Sequence, residues 1–420
     1  MGLVTPAVPA VPAGLRAAIV TLWDGEAAFA CAVMHWCDHA EQLAHVFRQY
    51  LGARTDIAAV LTTSRGDDVL KSDCPQLQII RPDAALVAAV KRFSTVGCKG
   101  RWAGGLQALS HSHSLTGPLT RSLAHSLACS TVLQNMYKWL VFGLVQYQLI
   151  IYADLDVELL RPEQSPRVVG ERWRSTFHVA APPSQTPRVL SDKDMESPFN
   201  GGLWTLAWPS TALYERGLSL MHRVQWNESD GFDHAGSPRE LYRSRRELHW
   251  RMSETRMLRS NTWDFSMGDC DQAFLFHTLH LTSPVGADFE PVAMAEGDLD
   301  TQRVGIGSHG RRMPGLIHTA RHYYSHPKPW YWSKCQQNRH MGIAEKGRFE
   351  DCPVIPRSRG LFLKNAGRVL WFLNHTDWRS RPTTSKCASA FARVLPELTR
   401  YGRTPPTKPP KYSGSLQRLR

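Results

Sequence analysis

Three short apolar runs set the fold class: Ala17-Ala18-Ile19-Val20-Thr21-Leu22, Ile57-Ala58-Ala59-Val60-Leu61 and Leu77-Gln78-Ile79-Ile80. Runs that are apolar without alternation read as strands buried on both faces. Between the first two, Glu26 to Leu51 carries Phe29, Val33, Trp36 and Ala40 at helical intervals. Parallel strands must be joined by a crossover, so the order strand, helix, strand, helix, strand predicts an α/β chain with a mostly parallel sheet flanked by helices. Such sheets often hold nucleotides. The turn after the first run, Thr21-Leu22-Trp23-Asp24-Gly25, has no Gly-x-Gly-x-x-Gly, and no Walker A loop occurs, which argues against a Rossmann dehydrogenase and a P-loop NTPase.

The composition permits a large core. With 42% hydrophobic residues in 420, the chain is too apolar to be disordered, and neither its Gly nor its Pro is periodic, which excludes collagen-like folds. The formal net charge of +13 suggests an anionic partner, but the excess is spread over Lys91–Arg121, Arg239–Arg259 and Thr399–Arg420. That pattern is mostly solvated surface, and no nucleic-acid partner is expected. Nine cysteines without a Cys-x-x-Cys predict reduced, buried thiols. A zinc site from His111, His113 and Cys98 or Cys129 has no assignable spacing.

Met1 to Gly14 lacks the charged region of a signal peptide, and Leu140–Ile151, interrupted by Gln146 and Gln148, is too short to span a bilayer. These features favour a cytoplasmic chain without a transmembrane segment. Asn227-Glu228-Ser229 and Asn374-His375-Thr376 would be glycosylation acceptors only in the Golgi or another secretory lumen.

The chemistry is expected where the apolar strand Leu149–Ala153 ends in Asp154-Leu155-Asp156. Residues two apart on a strand share a face, so the spacing predicts two carboxylates pointing one way and Leu155 pointing back into the packing. Adjacent carboxylates repel unless a cation lies between them, and oxygen ligands suit Mn²⁺ or Mg²⁺. Ligands of open α/β sheets bind beyond the carboxyl ends of the strands, where this pair falls. Asp-x-Asp also recurs at Asp192/Asp194, Asp269/Asp271 and Asp298/Asp300, without such a strand before it.

Four segments, in order, carry a family resemblance. Met136-Tyr137-Lys138-Trp139-Leu140 with Gln146-Tyr147 leads into Ile150-Ile151-Tyr152-Ala153-Asp154-Leu155-Asp156. Phe199-Asn200-Gly201-Gly202-Leu203, Asp271-Gln272-Ala273-Phe274-Leu275 and His322-Tyr323-Tyr324-Ser325-His326-Pro327-Lys328-Pro329-Trp330 follow. Together they resemble glycosyltransferase family 8, the retaining, GT-A fold enzymes of the glycogenin and galactinol synthase type. The resemblance implies a metal-dependent hexosyltransferase that takes a UDP-sugar donor, with Asp154, Asp156 and His322 holding Mn²⁺. It further implies that Lys328 contacts the diphosphate, that Lys138, Asn200 and Gly201 hold the donor sugar, and that Thr21 and Leu22 lie at the uracil and ribose. Asp271, Gln272 and Asn200 would then lie at the reacting centre. The chain departs from the family pattern in Trp23-Asp24-Gly25, in the offset of Phe29, and in Ser325 where Gly is usual.

On this reading residues 1–15 are a flexible tail and 16–330 the glycosyltransferase domain, with insertions near 93–130 and 210–265. Leu361–Leu373 and Ser389–Leu398 look like amphipathic helices in a C-terminal extension, 331–403, before a disordered basic, Pro-rich tail, 404–420. The acceptor could be a glycan, protein, polyol or lipid, and no tyrosine is marked for self-glycosylation. The alternative is a noncatalytic protein that keeps the fold to bind a nucleotide-sugar or polyanion. Loss of metal or donor residues would signal it, and all are present.

Overall fold

The computed structural model describes residues 14–25, 30–63, 67, 70, 74–97, 134–160, 165–180, 186–191, 196–265, 268–282, 301–303 and 320–322. Strands β1 (Arg16–Trp23), β2 (Arg54–Leu61), β3 (Gln78–Ile80), β4 (Leu149–Ala153), β6 (Arg188–Ser191) and β7 (Leu203–Ala207) form a six-stranded sheet in the order β3-β2-β1-β4-β7-β6. The pairs β3/β2, β2/β1 and β1/β4 are parallel, whereas β7 runs antiparallel to both β4 and β6. This is the mixed, mostly parallel α/β sheet expected of a GT-A type chain.

Period-two alternation divides the core into two layers. Ala17, Ile19, Ile57, Ala59, Leu149 and Ile151 face one layer, and Ala18, Val20, Ala58, Val60, Ile150 and Tyr152 face the other. Both faces are buried, which explains why these strands read as continuous apolar runs. The first layer is covered by α1 (Ala30–Leu51), which turns Trp36, Cys37, Ala40, Leu43 and Phe47 inward, and by α3 (Pro166–Ala180). Gly170 lets α3 lie against α1, because a Cβ there would sit 2.6 Å from the Tyr50 Cβ.

The opposite layer is covered by α2 (Ala84–Gly97), a 3-10 helix (Asn135–Gly143) and α4 (Thr211–Arg223). Asn135–Gly143 takes the tighter 3-10 form, in which residues three apart stack on one face. Met136, Trp139 and Phe142 form that buried face. Phe142 and Tyr152 both stack on Trp204 of β7. Trp139 packs directly over Gly217 of α4, where a Cβ would come within 1.8 Å of its ring, and donates to the Tyr214 carbonyl at 2.9 Å.

The interval expected to hold an insertion near 210–265 is part of this core. After α4 come the hairpin β8–β9 (Trp226–Asn227 and Gly231–Phe232), α5 (Pro238–Ser244), α6 (His249–Met252) and α7 (Arg256–Ser260). Their Phe232, Leu241, Met252, Met257 and the following Trp263 are buried with the sheet. Helix α8 (Asp271–Phe276) continues into a π turn, His277–Leu281. A second sheet joins β10 (Thr301–Arg303), β11 (Ala320–His322) and β5 (Val157–Glu158).

Cys37 and Cys74 form a disulfide, with Cα atoms 6.0 Å apart. The expectation of reduced thiols therefore fails for this pair, because α1 brings Cys37 beside a residue 37 positions away. Cys270 is buried and lies outside any disulfide. Among the described residues no helix is long and apolar enough to cross a membrane. The first residues of the expected 93–130 insertion belong to α2. The rest of that segment, His111 and His113 with Cys98 and Cys129, the 331–403 extension and the 404–420 tail lie outside the described residues.

Gly217→Ala should force Trp139 aside and lower stability by about 1–3 kcal/mol, read as a reduced urea midpoint at unchanged slope. His277 supplies a pH signature. Burial pushes its imidazole down to about 4, with Asp233 opposing and Arg223 assisting. The neutral ring's contribution is complete above about pH 6.5 and is lost as pH falls toward 4, by about 3 kcal/mol at most. The thermal midpoint should fall over that window, and more shallowly in His277→Gln.

Candidate active site

The site begins where β4 leaves the sheet. The ladder with β7 extends one residue past the strand, since the Asp154 N–H donates to the Gly202 carbonyl at 2.8 Å. The chain then turns, with the Val157 N–H donating to the Asp154 carbonyl at 3.0 Å, and enters β5. Asp154-Leu155-Asp156 is thus a turn, not the strand extension from which a shared carboxylate face was expected. The orientation of Leu155 holds, for it is buried in the first core layer. Asp154 and Asp156 are both partly exposed.

Lys138 ties the motifs together. The 3-10 helix buries it to 3% exposure, and its ammonium lies 3.1 and 3.2 Å from the two oxygens of Asp154 and 2.8 Å from Asp271 Oδ2. It also donates to the Gly201 carbonyl at 3.1 Å. An ammonium has three protons, so these three partners match its donor capacity. Burial alone would lower the lysine's proton affinity, but the charges and hydrogen bonds of Asp154 and Asp271 outweigh it and raise it well above the usual lysine range. In this arrangement Lys138 braces two carboxylates and a backbone carbonyl.

Tyr152, two residues before Asp154 on β4, donates its phenol to Asp154 Oδ1 at 2.6 Å, and the Lys138 ammonium lies 5.3 Å from its ring centre. Burial, followed by the nearby Asp154 charge, pushes the phenol well above its ordinary range, so it stays a donor. Burial also raises the Asp154 carboxyl; Lys138 opposes this and Asp156 adds to it. Tyr152 was not singled out from the sequence, where it is one more apolar residue of a strand. Its period-two relation to Asp154 was the available signal.

The Asn200-Gly201 loop approaches from before β7. Ser191 Oγ accepts from the Asn200 N–H at 3.0 Å, and Asn200 Oδ1 accepts from the Gly202 N–H at 2.9 Å, a local turn that commits its carbonyl. Arg251, within the basic run read as solvated surface, is buried and donates to the Ser191 carbonyl at 3.3 Å. Gly201 is required for close approach: a Cβ there would lie 2.8 Å from Asp271 Oδ2 and 2.9 Å from Gln272 Cγ. The glycine was expected to admit a ligand; the approach seen is to the protein's own Asp271 and Gln272. Both residues start α8, and Gln272 Oε1 accepts from Ser197 Oγ at 3.3 Å.

Thr21 and Leu22 lie at the same end of the sheet, because Val20 is registered opposite Tyr152. Thr21 is buried, and its hydroxyl has no hydrogen-bond partner among the described residues. β11 pairs antiparallel with β5 so that His322 is registered opposite Val157, next to Asp156 in the chain. Lys328 and Phe29 lie outside the described residues. Lys138, Asp154, Gly201 and Asp271 are therefore in direct contact, Asn200 and Gln272 adjoin them, and the His322 backbone is brought to the Asp156 turn. The carboxylate oxygens of Asp154 and Asp156 are the ligand type that fits a hard divalent cation. A groove lined by Arg48, Thr55, Asp56 and Gln76 opens at the start of β2, at the other end of the sheet from Asp154.

Replacing Lys138 by Met should leave Asp154 and Asp271 facing each other without a counter-charge. The expected loss is about 3–5 kcal/mol in chemical denaturation. Part of it should be recovered as pH is lowered from 7 to 5, because the orphaned carboxyl pair then takes up a proton.

No protein-family model matches the chain, and no curated protein matches it. Among solved structures it is similar to mouse xyloside xylosyltransferase 1 in its apo form, at 12% identity and a TM-score of 0.35, over 74% of this chain and 98% of that one.

Proposed function

We propose that this chain is a retaining, metal-dependent glycosyltransferase that moves a hexose from a UDP-sugar to an acceptor hydroxyl. One observation carries the reading: Lys138 joins Asp154, Gly201 and Asp271, from three separate motifs, beyond the carboxyl end of β4. A structural ion pair needs one acid. Two carboxylates, a glycine-dependent backbone approach and a partly exposed Asp156 beyond the carboxyl end of one strand are the features of a ligand site.

In this reading Asp154, Asp156 and His322 hold a divalent ion, Mn²⁺ by resemblance. When bound, the ion would supply positive charge opposite the diphosphate leaving group. The chain's own residues do the rest. Tyr152 and Lys138 hold Asp154 in place, which orients one ligand carboxylate before any donor arrives. Thr21 and Leu22 receive the base and ribose, and Thr21 contributes a buried hydroxyl. Asn200 and Gly201 line the sugar side, with the Asn200 amide nitrogen the group left to meet a sugar hydroxyl once its carbonyl is committed to Gly202. Asp271, fixed by Lys138, and Gln272 lie at the reacting side, and Lys328 adds a cation for the diphosphate. In this reading the glycosyltransferase domain extends over 16–330, and the pairing of β11 with β5 supports including the chain as far as His322. The disulfide Cys37–Cys74 supports an oxidising compartment, in which the exposed Asn227 of Asn-Glu-Ser is open to glycosylation.

The test is a screen of UDP-sugars for released UDP, with and without Mn²⁺. Turnover should require the ion, and Asp156→Asn or His322→Ala should lower it by about 100-fold or more. Asp156 is partly exposed in a turn, so the thermal midpoint of Asp156→Asn should stay close to the parent value. Unchanged turnover in that variant would remove Asp156 from the site.

A further inference from the structure

We propose that His35, His39 and Glu158 form a second, fully buried divalent-metal site suited to Zn²⁺, independent of the donor site at Asp154 and Asp156. His35 and His39 are four residues apart on α1, so they project from one face of the helix. Glu158 faces them from β5. All three are buried, at 2%, 2% and 1% exposure. Their ligand atoms lie within 4.8 Å of one another, with His39 Nε2 3.9 Å from Glu158 Oε1. The two imidazole rings meet edge to face, with centres 4.4 Å apart.

The chemistry separates this cluster from an ordinary buried ion pair. A carboxylate inside an apolar layer that includes Trp36, Val157 and Leu159 needs a positive partner. One protonated imidazole supplies it. A second imidazole brought to the same point is redundant for an ion pair and expected for metal ligation, where two neutral rings and one carboxylate form a familiar zinc set. A zinc ion about 2.0–2.2 Å from each atom would need them roughly 3.4 Å apart, so side-chain movements of about 1 Å complete the set. Two nitrogens and one oxygen select borderline metals such as zinc, whereas the carboxylate turn selects harder ions, so the two sites are separable by metal.

Such an ion would clamp α1 to β5. β5 starts immediately after Asp156 and holds His322 in register, so the clamp would also fix the turn that carries the donor-site carboxylates.

The full chain, purified and dialysed against metal-free buffer, is assayed by elemental mass spectrometry. Near-stoichiometric zinc is expected, and Co²⁺ taken up in its place should give visible d–d absorption that the metal-free chain lacks. His39→Asn and Glu158→Gln should each lower zinc occupancy at least tenfold, whereas Asp156→Asn should leave it unchanged. Glu158→Gln is nearly isosteric and serves if the histidine variant does not fold. A parent chain that neither contains zinc nor takes up Zn²⁺ or Co²⁺ would overturn the proposal and leave a buried imidazole–carboxylate cluster. Zinc retained in Glu158→Gln, or lost in Asp156→Asn, would equally overturn it. None of these readouts depends on transferase activity, so failure here is distinguishable from failure of the proposed function.

Discussion

The buried ammonium of Lys138 is the interaction on which the site depends. Asp154 and Asp271 come from elements more than a hundred residues apart, and their carboxylates would repel at the distances observed without a cation between them. The hydrogen bond from Lys138 to the Gly201 carbonyl adds a third chain segment to the same point. Removing water from a lysine is costly, and two acidic partners with three satisfied protons are the condition under which it is sustained. The geometry is therefore nearly all-or-none: with any one partner missing, the others lose their reason to converge.

That brace is held by packing with no charge of its own. Trp139, the residue after Lys138, is pressed onto Gly217, and Phe142 stacks on Trp204, which in turn stacks on Tyr152. Tyr152 closes the circuit by donating to Asp154. A continuous aromatic column thus runs from the helix that carries the lysine, across the sheet, to the residue that orients the first carboxylate. The interval near 210–265, with α4 and the buried Arg251, supports the same column and the Asn200 loop.

Two further features concern the first core layer. The Cys37–Cys74 disulfide and the His35, His39 and Glu158 cluster both anchor α1, one beside β3 and one to β5. Helix α1 is the long crossover after β1, whose end is the expected nucleoside site, so constraints on this helix bear on the frame around the donor. The basic excess that first suggested an anionic partner resolves into unlike parts among the described residues: Lys138 and Arg251 are buried, while the other lysines and arginines whose side chains are described are partly or fully exposed.

The fold class was legible because strands buried on both faces leave unbroken apolar runs, as β1, β2 and β4 do over most of their length; β3, a partly exposed edge strand, also falls on a run visible in the sequence. The order of the motifs was legible too, since each is local. Three things were not. The turn at Asp154-Leu155-Asp156 replaces a strand because its backbone pairs once with Gly202 and then closes on itself, a choice made by the neighbouring strand. The disulfide and the histidine–glutamate cluster join residues far apart in sequence whose proximity follows from how α1 lies on the sheet. The role of Lys138 as a brace was hidden for the same reason: the sequence determined that a lysine precedes an acidic strand end, but only the tertiary structure decided where its protons go. Local periodicity records what a segment must bury, and electrostatic pairing depends on distances that exist only once the segments have been packed.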